Sequence, residues 1–578
     1  MRYHTKHMKR TLRGMSLVDV IVGTALILVV FMALFGLLRA SILVVQLTKA
    51  KAVATTIAES QMEYVRSLSY DQVGTIAGIP AGIIPQNSTT TSNGTGYAVH
   101  TFIDYADDPA DGLAGLDANG IITDYKRIKV SVKYVAGGTP RSVDIISNYS
   151  PIGLETTTGG GTIKIVVVNA SGVAVPGASV RIVNASTTST VDLTTFSDST
   201  GIVYLPGAAT SSQYQVYVSK TGYSSAQTYL RDATNANPTP GYLTVSKDLT
   251  TTATFAIDLL STLTVRTFTP VATTTFADTF PNATNLASQS NTQVSGGSLG
   301  LLNNGGSAGY SLSGSALSAP VAPTYLYSWI SASTTQTTPN GTTAVIHVVD
   351  STGTLLPDAV LAGNSSGFTS PVNLSGISTS TYPSLALRAD LTTNATTTTS
   401  TIQDWGLSYF RGPVPLPSVS FTLTGAKTIG STSGGASIYK TTISTNTDAT
   451  GTNPLSLEWD SYGLALTAYD TVDICNAPPY AIAAGTTNET SLYLTTATAN
   501  SALVSVRDAA GVAVPGATVT VSRTGYTKTL TTSACGGAYF GGLTASSAYT
   551  ITVSKSGYTT DTTTNINISG HLFYADSL

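Results

Sequence analysis

From Val20 to Leu38 the chain reads VIVGTALILVVFMALFGLL, nineteen residues without a charge. As a helix rising about 1.5 Å per residue this run covers roughly 28 Å, close to the about 30 Å hydrocarbon core of a bilayer. Beyond it the apolar residues thin out. Leu47, Ala50, Ala54, Ile57, Met62, Val65 and Leu68 recur near helical spacing, while Lys49, Lys51, Glu59, Glu63 and Arg66 take the remaining surface. The pattern predicts a hydrophobic N-terminal helix over 15–70, apolar all round in its first half and striped in its second. Two helices bent at Gly36 are the alternative.

After residue 70 the period shortens to two. YAVHTFIDYADD (97–108), DYKRIKVSVKYV (124–135) and RSVDIISNYSP (141–151) alternate as half-buried strands, giving a small β headgroup over 71–153 that lies against the helix. ETTTGGGT (155–162) is a flexible joint. The segments that follow are short alternating runs between Gly, Pro and Asn turns, and they divide into β-sandwich units at 154–260, 261–412, 413–498 and 499–578. Two of these units repeat each other. SGVAVPGASVRIV (171–183), a DSTG turn and YVSKTGY (217–223) in one correspond to AGVAVPGATVTVS (510–522), an ACGG turn and TVSKSGY (552–558) in the other. The fold class is therefore an α+β N-terminal module followed by several mainly-β sandwiches. Unit 261–412, with many short strands, reads as a jelly roll.

Composition narrows the function. Charged residues make up 10% of 578 and the net charge is −3, which supplies no basic surface for nucleic acid. Cys475 and Cys535 are the two cysteines. In an exported chain they form a candidate disulfide worth roughly 4 kcal/mol on the loop-closure argument, with two free thiols as the alternative. Asp107, Asp108, Asp111, Asp117, Asn119 and Asp124 crowd one loop and form a candidate calcium site, although their spacing is not that of an EF-hand, and a solvated hairpin loop is the commoner explanation. No other cofactor is expected. Trp329 and Trp405, with Tyr325 and Tyr327, are candidate stacking faces for sugars, or else core residues. G-x-S-x-G occurs at 296–300, 305–309 and 363–367, but no helix is expected after any of them, and the five histidines show no metal spacing. Catalysis is not expected.

The extreme N-terminus ties these parts together. The leader MRYHTKHMKRTLRG carries five basic residues and no acid; Gly14-Met15 stands at the polar-to-apolar junction, and Asp19 lies five residues beyond Gly14. This order of parts resembles the prepilin leader of type IV pilins and secretion pseudopilins. The resemblance implies cleavage between Gly14 and Met15 by a prepilin peptidase, methylation of the new terminus, and a role for Asp19 in neutralising a neighbouring subunit's amine during assembly; the family carries Glu there. The two repeats resemble the carboxypeptidase-regulatory-like, or transthyretin-like, β-sandwich. Together these imply a minor or tip subunit of a type IV pilus-like filament, held in the cytoplasmic membrane before assembly and exposed at the cell surface after it. Its partners would be other pilin subunits, the inner-membrane assembly platform, and a surface glycan or a receptor on a host or partner cell. The alternatives are a membrane-anchored surface stalk, a type II secretion pseudopilin, and a carrier of a carbohydrate-binding module.

Overall fold

The computed structural model describes residues 17–108, 123–151, 160–187, 190–369, 371–475 and 477–578, without the side chains of 18–20. One long helix is followed by strands grouped in sandwiches, and the chain divides into two compact units. The first unit extends to Leu260 and takes in Thr428–Ile438; the second comprises Ser261–Lys427 and Tyr439–Leu578.

In the first unit, α1 (Leu17–Arg66) is a single helix of 50 residues that passes Gly36 without a break. Its large apolar side chains at Leu17 and from Ile21 to Val45 are exposed on every side. Further on, Ala54, Ala58, Met62 and Val65 are at most 2% exposed, packed on a four-stranded sheet. Small residues at 54 and 58 let the backbone approach the sheet, and Tyr97, Val99, Ile103, Ile128, Val130 and Val132 fill the other side of that core. The strands run in chain order, Asn87–Ser92, Thr95–Ala106, Tyr125–Ala136 and Thr139–Tyr149. The first of these was invisible to the hydrophobic pattern because NSTTTS offers no apolar residue; pairing from Asn87↔His100 to Ser92↔Thr95 holds it.

The sandwich that follows, over 160–260, shares its core with the headgroup: Ile79 and Tyr105 are buried among Ile163, Val203 and Leu205. Gly207 (φ +79°) is required here, since a Cβ would come within 2.7 Å of the Tyr105 ring. The C-terminal sandwich in the second unit repeats the strand pairing of this fold. In one copy Gly161–Val168 pairs in parallel with Thr250–Ala256 and antiparallel with Ile202–Ala208. In the other Ser501–Arg507 pairs in parallel with His571–Ser577 and antiparallel with Gly537–Phe540. Both Val-Pro-Gly-Ala turns close on a buried hydroxyl. Ser197 Oγ donates to Val175 O at 2.7 Å and accepts Ala178 N at 2.9 Å; Thr532 Oγ1 does the same with Val514 O and Ala517 N at the same distances. Lys220 and Lys555 each return to the proline carbonyl of that turn. Tyr214 and Tyr549, fully buried, each donate to the carbonyl five residues upstream at 2.9 Å.

In the second unit the sheets cut across the boundary placed at 261 in the sequence. Ser261–Thr269 does not join the jelly roll. It pairs in parallel with Thr487–Thr496 and antiparallel with Thr452–Leu457, at the centre of the 413–498 sandwich. The jelly roll is thus inserted after the first strand of its host, something periodicity cannot reveal because it reports strands and not their partners. Its two sheets enclose Phe280, Leu299, Trp329, Leu387, Trp405 and Leu407.

Asp-x-Thr-Gly turns recur in three of the sandwiches. At Asp198, Asp350 and Asp448 one carboxylate oxygen accepts the backbone N–H two and four residues on, together with the threonine hydroxyl, all within 2.7–3.0 Å. The glycine of each turn has φ between +73° and +85°.

Candidate functional site

The residues expected to act at the N-terminus fall at the edge of what is described. Gly14 and Met15 lie outside the described residues, as do Asp111, Asp117 and Asn119. Asp19 stands in the opening turns of α1. What can be seen is the surface it belongs to. The helix from Ile21 onward is long and apolar enough to cross a membrane, and none of the described residues covers its hydrophobic window. So large an apolar surface, uncovered by the described residues, needs an apolar environment, whether lipid or another apolar helix.

The remaining described members of the acidic loop do not form a cation cage among themselves. Asp108 N donates to Asp124 Oδ2 at 2.6 Å, and Asp107 lines a neighbouring cleft. Among the described residues the one group of three candidate metal ligands is Asp473, Cys475 and Cys535, and its two sulfurs are joined to each other in a disulfide with Cα atoms 5.1 Å apart.

That cleft lies where headgroup and first sandwich meet, with a volume of about 610 Å³. Phe102, Tyr105, Tyr125 and Tyr204 supply apolar walls, and Asp104, Arg127 and Lys164 supply charge. Asp104, 2% exposed, accepts from Arg127 Nε at 3.2 Å and Nη2 at 2.5 Å. Burial pushes its carboxyl above the usual range, against the opposing pull of Arg127. Burial, helped by Asp107, likewise raises the Tyr204 phenol, against hydrogen bonds from Thr250 and Thr162. Around the cleft the two domains are fastened by backbone. Gln86 Nε2 donates to Asp192 O at 2.7 Å, and Asp192 N to Ala77 O at 2.7 Å. His100, near this seam, is pushed below its ordinary pKa by burial and then by Lys133. The cleft combines residues more than a hundred positions apart, so no local motif announced it.

The expected sugar faces are overturned. Trp329 and Trp405 are 0% exposed; Trp329 Nε1 donates to Tyr382 O at 2.9 Å and Trp405 packs on Phe280. Both rings point inward between the two sheets, and neither offers a face to a ligand. Tyr325 and Tyr327 stay exposed, at 52% and 61%. The third tryptophan, Trp459, carried no sequence signal but is half-buried beneath the Lys427 ammonium, 3.2 Å from its ring centroid. Buried Glu458 accepts both Lys427 (3.2 Å) and Lys440 (2.8 Å).

One Ser, His and Asp do converge, at the join between the host and C-terminal sandwiches, but not as a proton relay. Ser501 Oγ (2.9 Å) and Asp470 Oδ1 (3.1 Å) both address Nδ1 of His571, whereas a relay needs the two on different ring nitrogens. Asp470 Oδ2 also accepts the Tyr539 hydroxyl at 2.5 Å, and Asp473 Oδ1 accepts Ser533 Oγ at 3.2 Å beside the disulfide. These contacts fasten two domains. Elsewhere, Gly296 and Gly297 of the first G-x-S-x-G form a hairpin turn into strand Ser298–Leu301, so that serine stands on no strand–turn–helix elbow.

Residues 503–571 match the carboxypeptidase regulatory-like domain family. No curated protein matches the chain. Among solved structures the fold is similar to the Bacillus anthracis TIE protein, at 11% identity over 85% of this chain and 72% of that one, with a TM-score of 0.15. It is also similar to BcpA, the major pilin subunit of Bacillus cereus (9% identity, 72% of this chain and 99% of that one, TM-score 0.13). A third is the shaft pilin SpaA from Lactobacillus rhamnosus GG (13% identity, 29% and 89%, TM-score 0.12). Similarities this remote carry no argument about what this chain does.

Proposed function

We propose that this chain is a structural and adhesive subunit of a type IV pilus-like filament, cut after Gly14, with its helix in the filament core and its β-domains displayed at the cell surface. The observation that carries the reading is α1 itself. One half is packed into a folded headgroup, while the other, continuous with it, is apolar on every side and uncovered among the described residues. Lipid can hold such a half-helix before assembly and neighbouring helices can hold it afterwards. The basic leader and Gly14-Met15 supply the processing signal, and Asp19 the charge that pairs with a neighbour's amine. More than 400 residues beyond the headgroup favour a minor or tip position, since lateral packing of so large a subunit along a whole filament is crowded. Tyr325, Tyr327 and the headgroup cleft are the surfaces offered to a glycan or receptor.

The test is the N-terminal peptide of the native protein, identified by mass spectrometry in sheared filaments and in membranes separately. A methylated Met15 terminus in filaments is expected, and Asp19→Ala should leave the protein in the membrane fraction. An intact leader found in membranes alone would overturn the proposal in favour of an anchored stalk, the second reading that an uncovered apolar helix allows.

A further inference from the structure

The end of the headgroup nearest the uncharged run carries cations and no acid. From Val20 to Ala58, α1 has Arg39, Lys49 and Lys51 and neither Asp nor Glu. Residues 87–103 and 125–143, the greater part of the sheet packed on it, likewise contain no acid. Two carboxylates flanking those stretches are taken, Asp104 by Arg127 and Asp144 by Lys129.

Folding sets two sheet cations level with those of the helix. The turn at Gly137 packs on α1, where a Cβ on that glycine would lie 3.0 Å from Leu43 Cδ1 and 3.4 Å from Leu47 Cδ2. Further along, the Tyr97 hydroxyl donates to Ala50 O at 3.4 Å. Tyr97, Tyr134 and Arg141 stand side by side in register, and Lys133 is next to Tyr134. Lys49, Lys51, Lys133 and Arg141 are all exposed, and none makes an ion pair among the described residues. Lys133 has the Phe196 ring 5.7 Å from its ammonium, which is not a counter-charge. Lys133 and Arg141, with Thr89, Thr90, Thr91 and Ser142, line an open groove of about 630 Å³. Arginine and lysine so placed are suited to a phosphate group.

Leu43 lies about 8 Å, and Ala50 about 18 Å, along the helix beyond Leu38. The headgroup layer of a bilayer extends about 5–8 Å past its hydrocarbon. The turn at Gly137 therefore meets that layer. The four cations, on stems that can reach down, stand within about one Debye length (about 8–10 Å) of it. Val135, 58% exposed beside the turn, and Ile42 to Val45 on the helix carry the apolar surface on to the same level.

We infer that this end of the headgroup docks on the anionic phosphate groups of the bilayer that holds α1 before assembly. The inference rests on α1 lying in a membrane, which the filament and the anchored-stalk readings share. Each basic side chain near such a surface adds attraction, and a face without acids has nothing to oppose it.

Hydrogen exchange on the full chain in lipid nanodiscs, read by mass spectrometry, tests the surface. One set of discs is phosphatidylcholine alone and the other an equal mixture with anionic phosphatidylglycerol. The chain should enter both, and peptides covering 133–141 should exchange about fivefold more slowly on the anionic discs, the worth of one well-placed basic side chain. Salt at about 1 M, where the Debye length is about 3 Å, should erase the difference. Peptides from 161–256 should not change. Lys133→Gln with Arg141→Gln should remove the lipid dependence without hindering entry into discs. Should that pair fail to fold, Lys49→Gln with Lys51→Gln, on the exposed helix surface, should halve it or more. Equal exchange on both lipids in a chain that has entered them overturns the docking surface and leaves the membrane helix standing. Failure to enter either disc overturns the reading beneath it. Slowing that follows protein concentration instead of lipid charge assigns the surface to a second copy, and overturns the lipid.

Discussion

The two repeated sandwiches share their strand pairing and differ most at one turn. In the first copy Asp198-Ser-Thr-Gly closes on its own carboxylate, which satisfies two backbone N–H groups and the Thr200 hydroxyl. In the C-terminal copy the corresponding residues are Ser533-Ala-Cys-Gly. Ser533 Oγ accepts the same two N–H groups, from Cys535 and Gly537, at a longer 3.3 Å, and the acid is supplied from the neighbouring sandwich by Asp473. Where threonine stood there is Cys535, bonded to Cys475. The same backbone turn thus serves two purposes: closed on itself it ends a strand, and opened at two side chains it becomes a junction between domains.

Three experiments sharpen or break this comparison. Reduction, or Cys535→Ser, should have the largest effect. Opening a link between residues 60 apart removes about 4 kcal/mol from the C-terminal side on the loop-closure argument and nothing from the first copy. Exchange protection in 501–578 compared with 161–256 checks it, and equal loss in both copies would break the comparison. Next come the paired tyrosines. Tyr214→Phe should cost about 1 kcal/mol, the worth of one buried hydrogen bond. Tyr549→Phe should cost about 2 kcal/mol, because that hydroxyl also receives Arg523 Nε and Thr544 N. Denaturant unfolding of each variant decides the order.

The smallest effect is acid. Partial burial would raise the Asp198 carboxyl, but hydrogen bonds from Ile202 and Thr200 outweigh it and hold the group below the usual carboxylate range. A depressed folded pKa gives stability that is complete above about pH 4 and is lost as pH falls through the folded value. The first copy's turn should therefore loosen in acid, and Asp198→Asn should remove that pH dependence. The C-terminal turn carries no acid of its own, so exchange at Gly536 should be the steadier of the two after correction for intrinsic rates.

Local patterns were legible and partnerships were not. The long helix, the headgroup strands and the two repeats follow from periodicity and turn residues, and the structure has all of them. Asn87–Ser92 escaped because a polar edge strand has no alternation to read. Trp329 and Trp405 were left open between core and sugar face because an aromatic residue in an alternating strand looks the same whether its side faces the core or the solvent; both are core. The host strand Ser261–Thr269 was assigned to the unit next to it in sequence, when the partners named above lie 186 to 225 residues further on. The headgroup cleft depends on contacts between strands from different sheets, which no single window of sequence contains.

The parallel pairing of first and last strands has a consequence for how the chain bears tension. In the first sandwich, the host and the C-terminal copy alike, seven consecutive register pairs join the entering strand to the leaving one. Pulling on the two ends of such a domain slides the strands past each other, so all those hydrogen bonds are loaded in shear together and must fail together. An antiparallel hairpin pulled from its two free ends would instead unzip one bond at a time. Units closed in this way resist tension along the chain without needing a larger core, and the 270–412 sandwich, inserted behind its host's first strand, hangs inside one of those shear locks.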